Sequence, residues 1–254
     1  MTATVLVTTE QGICTLRLDR PQKKNSLTRE MYDTLAEAIR AADSDPQRRV
    51  ILIAAHGGDF CAGNDLGDFQ TRRPGDKPAA WNFLLALADT QAPLVAAVQG
   101  RAIGIGTTLL AHCDFVYAEP DATFSLPFVA LGVVPEAGSS QTLVQQLGYR
   151  RAAEMLLLGQ VCDATTAATI GLITATTPAG AALATAQATA ARLAALPRAA
   201  LRQSKQLLRR PPESLHARLH AEIAVFQERL ASATAQELIA AILEKRPPDR
   251  SKLD

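Results

Sequence analysis

The sequence has almost no excess charge of either sign. Its 254 residues include 26 Lys and Arg against 25 Asp and Glu, which leaves a formal net charge of +1. No overall field draws such a chain to nucleic acid or to an anionic membrane, and neither is expected as a partner. An anionic ligand must therefore be bound by local groups.

Long hydrophobic runs, paired cysteines and metal motifs are missing as well. No stretch approaches the roughly 18 apolar residues of a membrane span, and residues 1–10 lack the basic region and apolar run of a secretory signal. The four cysteines form no CxxC pair, which argues against a zinc knuckle or a disulfide-bonded scaffold. His216 and His220 lack the glutamate of an HExxH motif. We expect a cytoplasmic protein without a metal site.

The hydrophobic patterning predicts an α/β fold. Two short alternating runs at 5–9 and 13–19 predict an opening hairpin, and continuous apolar runs predict buried parallel strands at 50–55 and 94–99. Helical spacing follows Ser26 and Thr28, either of which can cap the helix, and a further strand is predicted at 114–119. After Tyr149 the strand signal disappears, and only helices, separated by prolines, are predicted.

Two predicted strands run into turns that contain glycine and then into a helix start, at 57–66 and at 100–108. Backbone N–H groups at a helix start lack internal acceptors and favour an anion. The alternative is that these glycines only permit tight turns and close packing. Neither turn completes a GxGxxG motif or a phosphate loop, so a nucleotide site is not expected.

The order and spacing of several motifs resemble the crotonase family, the enoyl-CoA hydratases and isomerases. They are Phe60 to Leu66, the run from Pro93 to Gly106, Cys113-Asp114, and Leu131 to Gly138. The resemblance implies a spiral of ββα units over residues 1–195 and a helical trimerisation region over 196–254. It also implies a homotrimer or a hexamer built from two trimers, an acyl-CoA thioester as substrate, and no cofactor beyond the coenzyme A of that substrate.

The resemblance further implies a set of site residues. The family's oxyanion hole, matched by motif position, places the backbone N–H groups of Ala62 and Ile105 on the thioester oxygen. Cys61 is interpreted as a small buried residue rather than a nucleophile. The implied substrate-binding group consists of Lys23, Lys24, Cys61, Gly63, Asn64, Asp65, Leu66, Gly104 and Phe128.

The catalytic carboxylates depart from the hydratase pattern. Family hydratases use two glutamates, whereas Thr108 and Phe128 stand at those positions here, and neither side chain is a base at neutral pH. A carboxylate occurs instead at Glu136, which resembles the Δ3,Δ2-enoyl-CoA isomerase branch, where one glutamate moves a proton from C2 to C4. Apolar Phe124, Phe128 and Val129 are expected to keep the pocket dry and to raise the proton affinity of the carboxylate.

Three other interpretations of Glu136 remain open. It can simply favour a helix start, as acidic residues often do. It can activate water in a hydratase-like enzyme, or it can belong to a protein that binds acyl-CoA without turnover.

Overall fold

The computed structural model describes residues 4–65, 67 and 77–253. The chain divides into two compact units with the boundary between Ala191 and Arg192. The boundary predicted at 195/196 lies slightly farther along the chain, and the trimerisation role of the second unit stays a prediction. Leu66 lies outside the described residues.

A six-stranded sheet forms the centre of the first unit. The first pair of strands is antiparallel, and all the other pairs are parallel. The predicted hairpin and the three predicted strands after it are confirmed, because continuous apolar runs are typical of strands buried on both faces. In spatial order the strands are β1 (Val5–Glu10), β2 (Ile13–Leu18), β3 (Val50–Ala55), β4 (Leu94–Val98), β6 (Phe115–Ala118) and β9 (Ala175–Thr176).

A second, smaller sheet contains β5 (Arg101–Ile103), β7 (Thr123–Ser125) and β8 (Cys162–Asp163). Each of β4 and β6 in the large sheet is followed within a few residues by a strand of the small sheet, β5 or β7. After β3, a single bridge from Cys61 to Ala102 takes the same place. This repeated step from one sheet to the other is the predicted spiral.

The absence of strands predicted after Tyr149 is wrong, because β8 and β9 lie there. Each has two residues, which is too short for a hydrophobic period to be recognised.

The helix Arg29–Ser44 packs on β1, β2 and β3 of the large sheet. Thr28 caps the first helix, as predicted, by accepting a hydrogen bond from the Met31 N–H. The rings of Tyr32 and Phe83 pack 5.6 Å apart between the first two helices. The helices described in the first unit are α1 (Arg29–Ser44), α2 (Trp81–Asp89), α3 (Ile105–Thr108), α4 (Ser139–Leu147), α5 (Tyr149–Leu158), α6 (Ala164–Thr169) and α7 (Ala182–Ala194). The last of them crosses the boundary between the two units.

The second unit contains α8 (Arg198–Leu208), α9 (Leu215–Leu230) and α10 (Ala233–Leu243). Pro197 precedes α8, and prolines 211 and 212 separate α8 from α9, as predicted. In the part of the chain that the structure describes, no helix combines the length and apolarity needed to cross a membrane.

Candidate active site

The two turns that contain glycine lie side by side. The Cys61 N–H donates to the Arg101 carbonyl oxygen at 3.0 Å, and the Ile103 N–H donates to the Cys61 carbonyl oxygen at 2.9 Å. Gly106 packs so tightly here that a Cβ would lie 2.5 Å from the Cys61 carbonyl oxygen. Only glycine permits this approach, which brings the segment after β3 against the start of α3.

The Ala62 N–H is not available to a ligand. It donates to the Lys24 carbonyl oxygen at 2.9 Å. A residue has one backbone N–H, and this one is directed at the Lys24 carbonyl oxygen rather than at a ligand. The prediction that Ala62 is an oxyanion donor is therefore wrong.

Two N–H groups without an acceptor in the described residues follow, those of Gly63 and Asn64. The bonds of Leu27 fix the direction of the Asn64 N–H. Leu27 donates to the Gly63 carbonyl oxygen at 2.8 Å and accepts from the Asp65 N–H at 2.9 Å. Because a trans peptide directs its C=O and N–H to opposite sides, the Asn64 N–H points away from Leu27. It has no acceptor among residues 4–65, 67 and 77–253.

The Ile105 N–H is also without an acceptor within the described ranges. Ile105 is the first residue of α3, where helix geometry provides no internal partner. Gly104 before it has a φ of +56°, a conformation that an L side chain rarely adopts, and its carbonyl accepts from the N–H groups of Thr107 and Thr108. This geometry supports the predicted role of Ile105.

The carboxylate of Glu136 lies beside these turns. The Thr108 hydroxyl donates to Glu136 Oε1 at 2.7 Å, and Thr108 itself is fully buried. Burial raises the pKa of Glu136, and the Thr108 hydrogen bond offsets part of that rise. Desolvation stabilises the protonated form, so this carboxylate binds a proton more strongly than an exposed one.

Cys61 in the first turn is a buried thiol whose surroundings keep it protonated. Burial raises the pKa of the Cys61 thiol to about 12, and the charge of Glu136 contributes to the rise. A thiol with this pKa stays protonated at neutral pH and is not a nucleophile. The interpretation of Cys61 as a small buried residue agrees with its complete burial.

A strained turn holds Glu136 in place. Ala137 has a φ of +56° and Gly138 a φ of +69°, so two left-handed residues follow the carboxylate directly. His112 Nε2 donates to the Ala137 carbonyl oxygen at 2.9 Å, and the Ser139 N–H donates to that of Glu136 at 3.0 Å. A left-handed alanine persists only where its surroundings stabilise it. Sequence reasoning does not find this role of His112, because a lone histidine carries no signal for such a contact.

The side chains of Asn64 and Asp65 stabilise the first turn. The Tyr32 hydroxyl donates to Asn64 Oδ1. Arg20 pairs with Asp65 at 2.6 Å, which lowers the pKa of that carboxyl, and the Gly67 N–H donates to Asp65 Oδ1. Substrate contacts by either side chain stay predictions.

The segment before α1 supports the first turn from the other side. Asn25 is fully buried and accepts from the Arg20 N–H, while its side-chain amide donates to the carbonyl oxygens of His56 and Asp59, all at 2.8 Å. Lys23 and Lys24 beside it are exposed. Their predicted contact with coenzyme A is not tested by these bonds.

The three apolar residues predicted near Glu136 differ in exposure, and Val129 is 52% exposed. Phe124 is fully buried in β7, and Phe128 is buried just before a short helical turn at Val129–Leu131. Phe128 thus offers no charge or hydrogen-bonding group where the resemblance implies the second hydratase glutamate.

Residues 8–252 match the family model described as enoyl-CoA hydratase/isomerase. The chain belongs to the enoyl-CoA hydratase/isomerase family. Among curated relatives, it is 36% identical over 252 residues to enoyl-CoA delta isomerase 2 of Rattus norvegicus, covering 96% of this chain and 64% of that protein. It is 34% identical over 251 residues to 2,3-dehydroadipyl-CoA hydratase of Escherichia coli, covering 96% and 97%.

Solved structures show the same enoyl-CoA hydratase/isomerase architecture. A Magnetospirillum magneticum AMB-1 chain named as an enoyl-CoA hydratase/carnithine racemase is 47% identical, with a TM-score of 0.95 over 99% of this chain and 100% of that chain. OdaA of Pseudomonas aeruginosa is 41% identical, with a TM-score of 0.78 over 95% and 99%. The crotonase fold is therefore confirmed. The relatives carry both isomerase and hydratase names, so they do not distinguish the two reactions.

Proposed function

We propose that this protein moves the double bond of a 3-enoyl-CoA thioester into the 2-enoyl position. The observation that carries the proposal is one partly buried carboxylate, Glu136, beside two backbone N–H groups without acceptors in the described structure. A desolvated base and two fixed donors are what proton transfer next to a thioester requires.

The reaction needs one base and one oxyanion site. Glu136 removes a proton from C2, and the electron pair left behind moves toward the thioester oxygen. The N–H groups of Asn64 and Ile105 stabilise the negative charge that develops on this oxygen. Protonated Glu136 then returns its proton to C4 as the double bond forms between C2 and C3. Glu136 ends as a carboxylate, so the cycle is balanced.

Water addition is disfavoured by the residues at the two hydratase glutamate positions. Thr108 donates its hydroxyl hydrogen to the carboxylate and is no base at neutral pH, while Phe128 is apolar. The substrate brings its own coenzyme A, and no further cofactor is proposed. Exposed Lys23 and Lys24 are proposed to face its phosphates, and the assembly is proposed to be a trimer or a hexamer.

The test follows the conjugated enoyl absorbance that appears when a 3-enoyl-CoA is isomerised. Glu136→Gln keeps the shape and an acceptor for Thr108 but removes the base, so we expect kcat to fall about 10²–10⁴-fold. Glu154→Gln is the matched control, because Glu154 is exposed and pairs only with the exposed Arg151 among described residues.

The outcomes separate three functions. Isomerisation that depends on Glu136 supports the proposal. Rapid hydration of a 2-enoyl-CoA that depends on Glu136, with little isomerisation, would replace it with a hydratase. Acyl-CoA binding without either reaction would leave a binding protein.

A further inference from the structure

Two adjacent threonine hydroxyls in α3 have different partners. Thr107 donates to the Ala102 carbonyl oxygen at 2.6 Å, inside the small sheet. Thr108 donates to Glu136 Oε1 at 2.7 Å, although the two residues are 28 positions apart in the chain. Both threonines are fully buried, whereas Glu136, the acceptor of the Thr108 bond, is only partly buried.

The bond from Thr108 connects Glu136 to the helix that carries the Ile105 N–H. Ile105 and Thr108 are the first and last residues of the same short helix, and the Thr108 N–H donates to the Gly104 carbonyl oxygen at 2.9 Å. One turn of helix therefore sets the separation between the Ile105 N–H and the carboxylate of Glu136.

The same bond makes the two oxygens of Glu136 different. Oε1 accepts from Thr108, whereas Oε2 has no partner among the described residues. A hydroxyl can donate to Oε1 both in the carboxylate and in the acid protonated on Oε2. The bond can therefore persist while a proton enters and leaves Oε2.

We propose that Thr108 is a positioning residue for Glu136, which fixes one carboxylate oxygen and leaves the other to carry the proton from C2 to C4. This inference rests on the proposed function. A carboxylate held on one side cannot rotate between the two transfers, so the proton is delivered to the face from which it was taken.

The experiment compares Thr108→Val with Thr108→Ser. Valine keeps the branched shape without a donor, and serine keeps the donor. We expect Thr108→Val to lower kcat about 10-fold with KM changed less than about 3-fold, because a bond to a charged group is lost. The acid limb of the kcat profile should move to higher pH, since the bond that lowers the pKa of Glu136 is gone. Thr108→Ser should restore both.

A second measurement follows the transferred atom. With a substrate deuterated at C2 and ordinary water, the fraction of deuterium found at C4 should fall in Thr108→Val, because a rotating carboxyl group has longer to exchange with water. Thr107→Val is the matched control: it also loses a buried hydroxyl, but its acid limb and deuterium retention should equal those of the wild type.

Glu136→Gln separates a failure of the proposed function from a failure of the proposed role of Thr108. If the wild type does not isomerise, or if Glu136→Gln retains its activity, the proposed function fails. If both behave as expected and Thr108→Val keeps the wild-type kcat, acid limb and retention, the inference about Thr108 is overturned. Thr108→Ala replaces the valine variant if the latter does not fold, with the same expected shifts.

Discussion

Replacing single peptide bonds by esters tests which N–H groups bind the thioester oxygen. An α-hydroxy acid at position 64 removes the N–H and leaves the side chain in place. At position 64 the hydroxy analogue of asparagine is used, so the bond from the Tyr32 hydroxyl to Asn64 Oδ1 is kept. The corresponding hydroxy acids at Ile105 and Ala62 complete the set, with Ala62 as the control position.

The expected magnitudes differ because the three N–H groups have different partners. Loss of one oxyanion donor raises the barrier by about 2.7–4 kcal/mol, which corresponds to about a 10²–10³-fold loss of kcat at 64 and at 105. The ester at 62 removes the bond to the Lys24 carbonyl oxygen, which contributes about 0.5–1.5 kcal/mol to folding. That variant should unfold more easily but keep kcat within about 3-fold.

The assay is the rise in conjugated enoyl absorbance, with urea unfolding measured on every variant. The unfolding measurement is needed because an ester at 64 also weakens the Gly63 carbonyl as an acceptor for the Leu27 N–H. A loss of 10²-fold at 62 with little change at 64 would refute the assignment of Asn64. Unchanged kcat at both 64 and 105 would refute the oxyanion site altogether.

Three other perturbations test separate parts of the structure. Since burial raises the pKa of Glu136 and the carboxylate is the active form, kcat should fall on the acid side at a pH above the ordinary glutamate value, as a pH–rate profile shows. Asn25→Ala breaks three buried bonds and should cost about 2–3 kcal/mol in urea unfolding; an unchanged midpoint would contradict this. Arg246 holds the pKa of the buried Glu237 at about 2. The wild type should therefore melt at a higher temperature than Glu237→Gln, with the full difference above pH 4.5 and a shrinking difference as the pH falls toward 2.

Much of the fold was predictable because it rests on local pattern. The runs that became β3 and β4 are apolar at every position, which only a strand covered on both faces explains well. The hairpin of β1 and β2 follows from alternation around the turn at Gln11 and Gly12. The strands that form the small sheet have two or three residues each, and their pairing depends on neighbours distant in the chain, so no period indicated them.

The sequence by itself determined the family, the two turns that contain glycine, and the presence of a lone carboxylate at Glu136, because motif spacing and side-chain chemistry carry that information. Tertiary structure alone decided which N–H groups are free. The sequence does not distinguish the N–H groups of Ala62 and Asn64. In the structure the Ala62 N–H donates to the Lys24 carbonyl oxygen, whereas the bridge to Leu27 directs the Asn64 N–H away from Leu27. It also decided the bond from Thr108 to Glu136, since a hydrogen bond between residues 28 positions apart exists only once the chain has brought them together.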